Sequence, residues 1–307
     1  MKPIIQVLGP TGVGKSGVAI QLAKKIGGEI ISADSVQVYT DFDIGTDKID
    51  PGQRQSIFHH LIDILADCSQ FNASIFLEKS FRLAEEIGHR GQIPIVCGGT
   101  ALYLKTMIKG IFPEKGGTKA SREELRQRVK SEGISSLYRE LLKIDPVYAQ
   151  KIGPNDEIRI TRALEIFYHN GVPPSEIFKR TETPFKDYQF IRIGLQIPRE
   201  DLYKRIEERV DRMIGRGLVA EVEELRRRYP PNCPPFKSLG YREISVYLDG
   251  RMTLPEAITL IKQHSRNFAK RQLSWFRQEK EIHWFSPADF LAIGTFVGQQ
   301  IWKKQSS

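Results

Sequence analysis

The sequence predicts an α/β fold, a parallel sheet core flanked by helices, with an all-helical domain inserted into it. Three observations indicate this class. Short apolar runs alternate with helical patterns over the first hundred residues, and a glycine-rich loop follows the first run. A later segment carries the signals of three successive helices. Alternating strands and helices are typical of a parallel sheet covered on both faces.

The predicted strands are runs of consecutive apolar side chains, as expected where both faces of a sheet are buried. They are Ile4–Leu8, Glu29–Ser32, His60–Ile64, Ile93–Cys97 and, later in the chain, Phe190–Ile197 and Ile282–Phe285. Helical periodicity predicts Gly14–Lys25, Ile75–Arg90, Arg199–Ile214, Val219–Arg228 and Leu254–Lys280. The core would therefore occupy residues 1–112 and 190–307.

The segment 113–189 is predicted to be the helical insertion. Ser121 begins an S-x-x-E capping box with Glu124, which marks the start of a helix. The predicted helices are Ser121–Ser131, Ile134–Lys143 and Asn155–Asn170. Asn155 is the expected N-cap of the last one, because its side chain can accept from an otherwise unpaired backbone N–H.

Composition and charge narrow the function classes. The net charge of +9 and pI near 9.4 favour a polyanionic partner such as nucleic acid, although a basic soluble protein without one is the alternative. No apolar run reaches membrane-span length and no signal-peptide pattern is present, so we expect a cytoplasmic protein without membrane contact. Cys68, Cys97 and Cys233 lie far apart without a C-x-x-C pair, which predicts reduced thiols.

The glycine-rich loop predicts a phosphate site. Gly9, Pro10, Thr11, Gly12, Val13, Gly14, Lys15 and Ser16 match GxxxxGK[ST] between a predicted strand and a predicted helix. Backbone N–H groups of such a loop surround an anion at the helix N-terminus. Lys15 adds charge for terminal phosphate oxygens, and the Ser16 hydroxyl suits a Mg²⁺ bound to the same phosphates. The core is therefore predicted to be P-loop NTPase-like.

The acidic residue that nucleotide hydrolysis requires is less evident in the sequence than the phosphate site. The strand Ile93–Cys97 ends in Gly98-Gly99-Thr100, where hydrolysing enzymes of this type need an acidic residue for Mg²⁺. Asp63 lies inside an apolar run and fits a structural role as well as a metal-facing one. The pattern favours a protein that binds a phosphoryl compound without hydrolysing a nucleotide.

Two polar residues follow predicted strands and are candidates for chemistry. Asp34 comes directly after Glu29–Ser32, and the carboxyl ends of parallel strands are where ligands bind in such sheets. It is a candidate general base, and capping a turn with Ser35 is the alternative. Thr100 could hydrogen-bond the same reacting centre or cap the next helix.

Seven segments, in this order, resemble the tRNA dimethylallyltransferases, also called tRNA isopentenyltransferases. They are GPTGVGKS, ISADSVQVYTDFDIGT, HHLIDI, VCGGTALYLKTMIKG, NDEIRITRALEIF, SLGYREISVYLDG and FAKRQLSWFR, and they cover nearly the whole chain. The resemblance implies that dimethylallyl diphosphate lies with its diphosphate in the P-loop. The N6 amine of adenosine 37 in tRNA then attacks the allylic carbon, and diphosphate leaves with Mg²⁺.

The resemblance also implies roles for single residues. Asp34 aligns with the general base, Thr100 with a threonine that contacts the adenosine, and Arg209 with an arginine that reaches the diphosphate. The implied tRNA-facing residues are Asp34, Ser35, Val36, Gln37, Thr100, Arg122, Ile158, Arg159, Ile160, Thr161, Arg162, Lys237, Ser238, Leu239, Gly240, Tyr241, Arg242, Lys270, Arg271, Gln272, Leu273, Ser274, Trp275, Phe276 and Arg277. The sequence departs from the family at Ser16, where threonine is frequent, and at Asp47-Lys48-Ile49.

The partner implied is a tRNA anticodon stem-loop, held through phosphates and unstacked bases by one monomeric chain. Arg212 and Arg216 are interpreted as a solvated helix face. Three other functions stay open: a P-loop small-molecule kinase, an enzyme that prenylates free adenine nucleotides, and a non-catalytic RNA-binding protein. The kinase would turn over ATP and leaves the basic C-terminal helix unexplained.

Overall fold

The computed structural model describes residues 1–112, 119–279 and 281–302, without the side chains of Lys119 and Trp302. The chain divides into two compact units. One consists of Met1–Ile108 and Phe185–Ser307, and the other of Lys109–Pro184. The predicted insertion was 113–189; the core resumes earlier because Phe185 packs on Phe81, with ring centroids 5.3 Å apart.

The first unit is built on a six-stranded parallel sheet, which confirms the predicted fold class. Its strands are β1 (Lys2–Leu8), β2 (Gly28–Ser32), β3 (His59–His60), β4 (Ile93–Gly98), β5 (Tyr188–Leu195) and β6 (His283–Phe285). They lie in the order β3-β2-β4-β1-β5-β6. In the central strand, Ile5 pairs with Ile95 on one side and Ile191 on the other.

Helices cover the sheet and form the second unit. They are α1 (Lys15–Ile26), α2 (Ala73–His89), α3 (Ala101–Lys109), α4 (Lys119–Glu132), α5 (Ile134–Ile144), α6 (Pro146–Ala149), α7 (Glu157–Asn170), α8 (Pro174–Phe178), α9 (Arg199–Gly215), α10 (Leu218–Arg228), α11 (Tyr241–Leu248), α12 (Leu254–Phe276) and α13 (Phe290–Trp302). None of the helices among the described residues is long and apolar enough to cross a membrane.

The core of the first unit lies between the sheet and its helices. Ile5, Val7 and Ile193 of the sheet pack with Leu22 of α1 and Ile206 of α9, and all are fully buried. Each such aliphatic side chain contributes about 1.5–3 kcal/mol relative to exposure. This packing fixes α1 and α9 over the carboxyl half of the sheet, where the loops of interest begin.

The second unit has its own core, in which α4, α5 and α7 bury Leu125, Leu137 and Leu164. Two predicted caps are wrong. The α4 helix already begins at Lys119, so Ser121 lies inside it. The N-cap of α7 is Asp156, whose Oδ1 accepts from Arg159 N at 3.1 Å, and not the neighbouring Asn155.

The predicted strand His60–Ile64 is also wrong beyond its first residue. Leu61 and Asp63 have φ of +60° and +57°, which turns the chain out of the sheet. The Asp63 carboxylate lies 2.5 Å from the ammonium of the buried Lys48, so it holds a loop together. No ranges were predicted for α3, α6, α8, α11 and α13, and the helix from Leu254 ends at Phe276 instead of Lys280.

Cys68 and Cys233 form a disulfide across 165 residues of sequence, with Cα atoms 5.0 Å apart. The prediction that they are reduced thiols is therefore wrong. The absence of a C-x-x-C pair excludes only partners that are close in sequence, whereas folding brings these two loops together. Cys97 is a buried thiol without a disulfide.

We expect the disulfide to stabilise the first unit, because it closes a very long loop in the unfolded chain. A Cys68→Ser/Cys233→Ser variant should lose about 2–4 kcal/mol of unfolding free energy, measured by urea denaturation. Thiol titration of the unfolded wild-type protein, purified without reductant, should detect Cys97 alone. Detection of all three thiols would contradict the pairing.

Candidate active site

A cavity of about 680 Å³ lies at the carboxyl ends of β1, β2 and β4, within the first unit. Its wall includes the P-loop, the residues that follow β2 and β4, and one face of α9. Asp34, Thr100 and Arg209, the three residues expected to take part in catalysis, all line it. The carboxyl ends of parallel strands thus bring together residues that are far apart in sequence.

The P-loop connects β1 to α1. Gly14, the N-cap of α1, has φ +103°, a conformation that strains any residue with a side chain. The amides of the first turn of α1 follow directly and form the anion-binding end of a helix. The Lys15 ammonium bridges the loop and donates to the carbonyl of Pro10 at 2.8 Å.

The pKa of the Lys15 ammonium is lowered toward neutral pH. Desolvation lowers its pKa from the ordinary 10.5 to about 8, although Asp34 and Asp47 partly oppose this. The ammonium therefore has little water to replace when an anion arrives. A phosphate would raise the pKa again, because an opposite charge favours the protonated form.

The ends of β2 and β4 meet beside the P-loop. Ala33 N donates to Cys97 O at 2.8 Å, and Thr100 N donates to Ala33 O at 3.3 Å. A Cβ on Gly98 would lie 2.3 Å from Ala33 O, so only glycine allows this approach. Asp34 and Thr100 consequently share one wall of the cavity. Burial raises the pKa of the Cys97 thiol to about 11, so it is a poor nucleophile.

Asp34 combines the two roles that the sequence left open. Its Oδ1 accepts from Val36 N at 2.8 Å and from Gln37 N at 3.2 Å, which caps the turn after β2. Both bonds use the same oxygen, so the turn does not occupy Oδ2. The half-buried side chain lines the cavity, where a carboxylate can accept a proton from a bound ligand.

Arginines of α9 form the basic wall. Arg209 Nη1 lies 3.6 Å from Asp47 Oδ2, and desolvation lowers the pKa of the guanidinium. Its Nε is buried without a hydrogen-bond partner in the part of the chain that the structure describes. An unsatisfied buried donor costs about 1–3 kcal/mol, so Nε indicates a missing acceptor.

The other arginines of this helix differ in their contacts. Arg205 Nη1 donates to Val13 O of the P-loop at 3.5 Å. Arg212 is exposed, in agreement with its interpretation as a solvated side chain, and it also lines the cavity. Arg216 lies 3.5 Å from Asp50 Oδ1, outside the cavity lining.

Gln272 of α12 ties two loops of the site together, a role that the sequence did not reveal. Its Oε1 accepts from Thr11 N and its Nε2 donates to Gly99 O, both at 2.8 Å. The side chain is buried, and both of its polar ends have protein partners. Gln272 was expected to face tRNA; it lines the cavity, and its contacts also fix the P-loop against the Gly99 loop.

Three other residues expected to face tRNA have buried side chains. Ile160 belongs to the core of the second unit, and Tyr241 and Phe276 are fully buried in the first. Each of these expectations came from a continuous sequence stretch, and the tRNA contact itself stays a prediction. A helix turns every 3.6 residues, so a stretch of it cannot present every side chain to one partner.

The remaining tRNA candidates fall into three groups. Those that line the cavity are Ser35, Val36, Gln37, Lys237, Ser238, Leu239, Gly240, Arg242 and Arg271. Lys270, Leu273, Ser274 and Arg277 line a second hollow on the first unit, and Trp275 packs under the Lys105 ammonium at 5.2 Å. The third group lies in the second unit. Ile158, Arg159, Arg122 and Arg162 are exposed there, and Thr161 is half-buried. Arg122 and Arg162 both form ion pairs with the buried Glu165.

The site fits a magnesium ion only together with phosphates. Ser16 lines the cavity at the first turn of α1, where its hydroxyl can serve as one ligand. No group of three or more His, Cys, Asp or Glu side chains that could hold a metal occurs among the residues described. Phosphate oxygens would have to supply further ligands, as is common for Mg²⁺.

Comparison with known proteins gives a consistent result. Residues 37–279 match the family model described as IPP transferase, and residues 3–59 match one described as isopentenyl transferase. A tRNA dimethylallyltransferase of Carboxydothermus hydrogenoformans is 47% identical over 283 residues, covering 92% of this chain and 91% of the relative. Another from Geobacter metallireducens is 44% identical over 292 residues, covering 94% of each.

Solved structures agree with this. The full-length tRNA isopentenylpyrophosphate transferase of Bacillus halodurans has a TM-score of 0.75 at 37% identity, covering 100% of this chain and 99% of that one. A eukaryotic dimethylallyltransferase acting on tRNA has a TM-score of 0.75 at 35% identity, covering 90% of this chain and 70% of that one.

The lowered pKa of Lys15 predicts a pH-dependent affinity for pyrophosphate, measurable by calorimetry. Below pH 8 the ammonium is largely charged; above about 8 it loses its proton, so affinity should fall by up to about tenfold per pH unit. A Lys15→Arg variant keeps its charge and should lack this fall, while the ionisation of pyrophosphate itself is common to both proteins. The same pH profile in both would contradict the role of Lys15.

Proposed function

The chain belongs to the IPP transferase family of tRNA dimethylallyltransferases, and on that premise we propose that it prenylates tRNA. The donor is dimethylallyl diphosphate and the acceptor is the N6 amine of adenosine 37. The products are N6-isopentenyladenosine and diphosphate. The observation that supports this reaction is one cavity lined by a P-loop, a carboxylate and the half-buried side chains of Arg209 and Lys15.

The diphosphate would lie against the basic part of the cavity. The first-turn amides of α1, the Lys15 ammonium and the unsatisfied Nε of Arg209 are donors suited to its oxygens. These groups also stabilise the charge that develops on the leaving diphosphate, because they are held in place before the reaction. Mg²⁺, held by Ser16 and phosphate oxygens when bound, would supply further Lewis-acid stabilisation.

Asp34 would act as general base. An aromatic amine is a weak nucleophile, so removal of its proton assists attack. As the bond from N6 to the allylic carbon forms, the bond from that carbon to the diphosphate oxygen breaks, and the N6 proton passes to the Asp34 carboxylate. Thr100, on the same wall, can hydrogen-bond the adenine and orient it.

The acceptor adenosine must leave its base stack to enter such a cavity. Arg271 and Arg242 line the cavity and can hold the phosphates around it. Arg122, Arg159 and Arg162 of the second unit present exposed basic side chains for the same RNA. We also propose that the protein acts as a monomer in the cytoplasm, where tRNA resides.

The direct test is incubation with dimethylallyl diphosphate, MgCl₂ and unmodified tRNA, followed by nucleoside mass spectrometry. We expect the mass gain of one isopentenyl group on adenosine 37. Parallel reactions with adenosine monophosphate and with ATP alone test the prenylation of free nucleotides and ATP turnover. Product from free nucleotide but none from tRNA would reject the proposal.

Asp34→Asn should abolish most turnover while preserving the turn, because an amide oxygen can still accept from Val36 N and Gln37 N. We expect kcat to fall by about 10²–10⁴-fold, with tRNA affinity within about twofold of wild type. Asp67→Asn is a matched control: Asp67 Oδ1 accepts from Ser69 N at 3.0 Å in a similar turn, and Asp67 does not line the cavity. Unchanged kcat in Asp34→Asn would remove Asp34 as the base.

A further inference from the structure

Glu221 lies outside the cavity lining, but it binds the 43–47 loop, which forms part of the cavity wall. This half-buried side chain is in the first turn of α10. Its Oε2 accepts from Ile44 N at 2.7 Å and Asp43 N at 3.3 Å, and its Oε1 accepts from Gly45 N at 3.2 Å. One carboxylate therefore fixes three successive backbone amides, as in a built anion site.

Tyr241 contacts both the Glu221 carboxylate and the loop that it binds. Its hydroxyl donates to Glu221 Oε1, and its pKa is raised by burial and by the neighbouring carboxylate. The ring packs so closely under the loop that a Cβ on Gly45 would lie 2.4 Å from it. Phe42 lies against the same ring, with centroids 5.2 Å apart. The loop thus rests on a fully buried aromatic side chain.

The loop leads directly to the groups of the active site. Gly45, Thr46 and Asp47 line the cavity. The Asp47 carboxylate lies 3.6 Å from Arg209 Nη1, and Gln37 Nε2 donates to Thr46 O at 3.2 Å. Gln37 N in turn donates to Asp34 Oδ1. The amides that Glu221 holds are therefore two to four residues from the partner of Arg209.

We propose that Glu221 is a positioning residue for diphosphate binding: it fixes the 43–47 loop so that Asp47 orients Arg209 toward the phosphates. The proposal rests on the proposed function, because it assigns Arg209 to the diphosphate. Glu221 lies outside the cavity lining, so it acts through the loop. Its charge matters because a carboxylate can accept four hydrogen bonds, whereas an amide at this position would turn an NH₂ group toward backbone donors.

The experiment is a double-mutant cycle with inorganic pyrophosphate as the probe and calorimetric affinity as the readout. Glu221→Gln should weaken binding at least about tenfold, the loss expected when a charged hydrogen-bond acceptor is removed. In an Arg209→Ala background the same substitution should add less than about twofold, because both changes act through one guanidinium. A merely structural role would make the two losses multiply.

Two further variants distinguish a specific loss of pyrophosphate affinity from misfolding. Tyr241→Phe keeps the ring under Gly45 and removes only the donor to Oε1, so we expect a smaller loss, about two- to fivefold. Glu85→Gln is the control: Glu85 also accepts from a tyrosine hydroxyl, that of Tyr188, and lies outside the cavity lining. Its pyrophosphate affinity should equal that of wild type.

The inference is overturned if Glu221→Gln and Tyr241→Phe both bind pyrophosphate within twofold of wild type, or if the losses multiply in the cycle. Its failure is separate from failure of the proposed function. A wild-type chain that binds pyrophosphate but does not prenylate tRNA rejects the function and leaves the cycle interpretable. Normal prenylation with an unaffected Glu221→Gln variant rejects only the positioning role.

Discussion

The close approach of two backbone segments, at Ala33 and Gly98, is the constraint on which the site depends. Only the absence of a side chain at Gly98 allows Ala33 O to come so near, and the bond from Thr100 N to Ala33 O then closes the contact. Asp34 and Thr100 become neighbours on one wall beside the P-loop. The sheet order, with β4 between β1 and β2, makes this possible.

The positively charged side chains in the cavity are suited to bind an anion that is not part of the protein. Lys15 and Arg209 are both desolvated enough to lower their pKa values, and Arg209 Nε has no partner in the described chain. Such groups are costly to bury, and this cost is offset when phosphate oxygens accept from them. The P-loop, α9 and the 43–47 loop therefore form one binding surface, although they come from distant parts of the sequence.

The sequence was a good guide where a local rule applies. Apolar runs located β1, β2, β4 and β5, and the P-loop motif together with family resemblance located the cavity residues. The sequence was a poor guide where contacts between residues far apart in the chain determine the structure. The disulfide between Cys68 and Cys233, the bond from Lys48 to Asp63 in the turn after β3, and the bridging role of Gln272 all join residues that no local pattern connects. Burial of Tyr241 and Phe276 shows that a matched segment does not make every residue in it a contact.

In the proposed reaction, the P-loop holds the leaving diphosphate while Asp34 receives the proton of the incoming amine. The most direct measurement is a crystal structure with a non-reactive thiolo analogue of dimethylallyl diphosphate and an anticodon stem-loop. We expect the diphosphate on the first-turn amides of α1 and an Asp34 oxygen about 3 Å from N6 of adenosine 37. A diphosphate bound elsewhere, or an adenine beyond reach of Asp34, would contradict it.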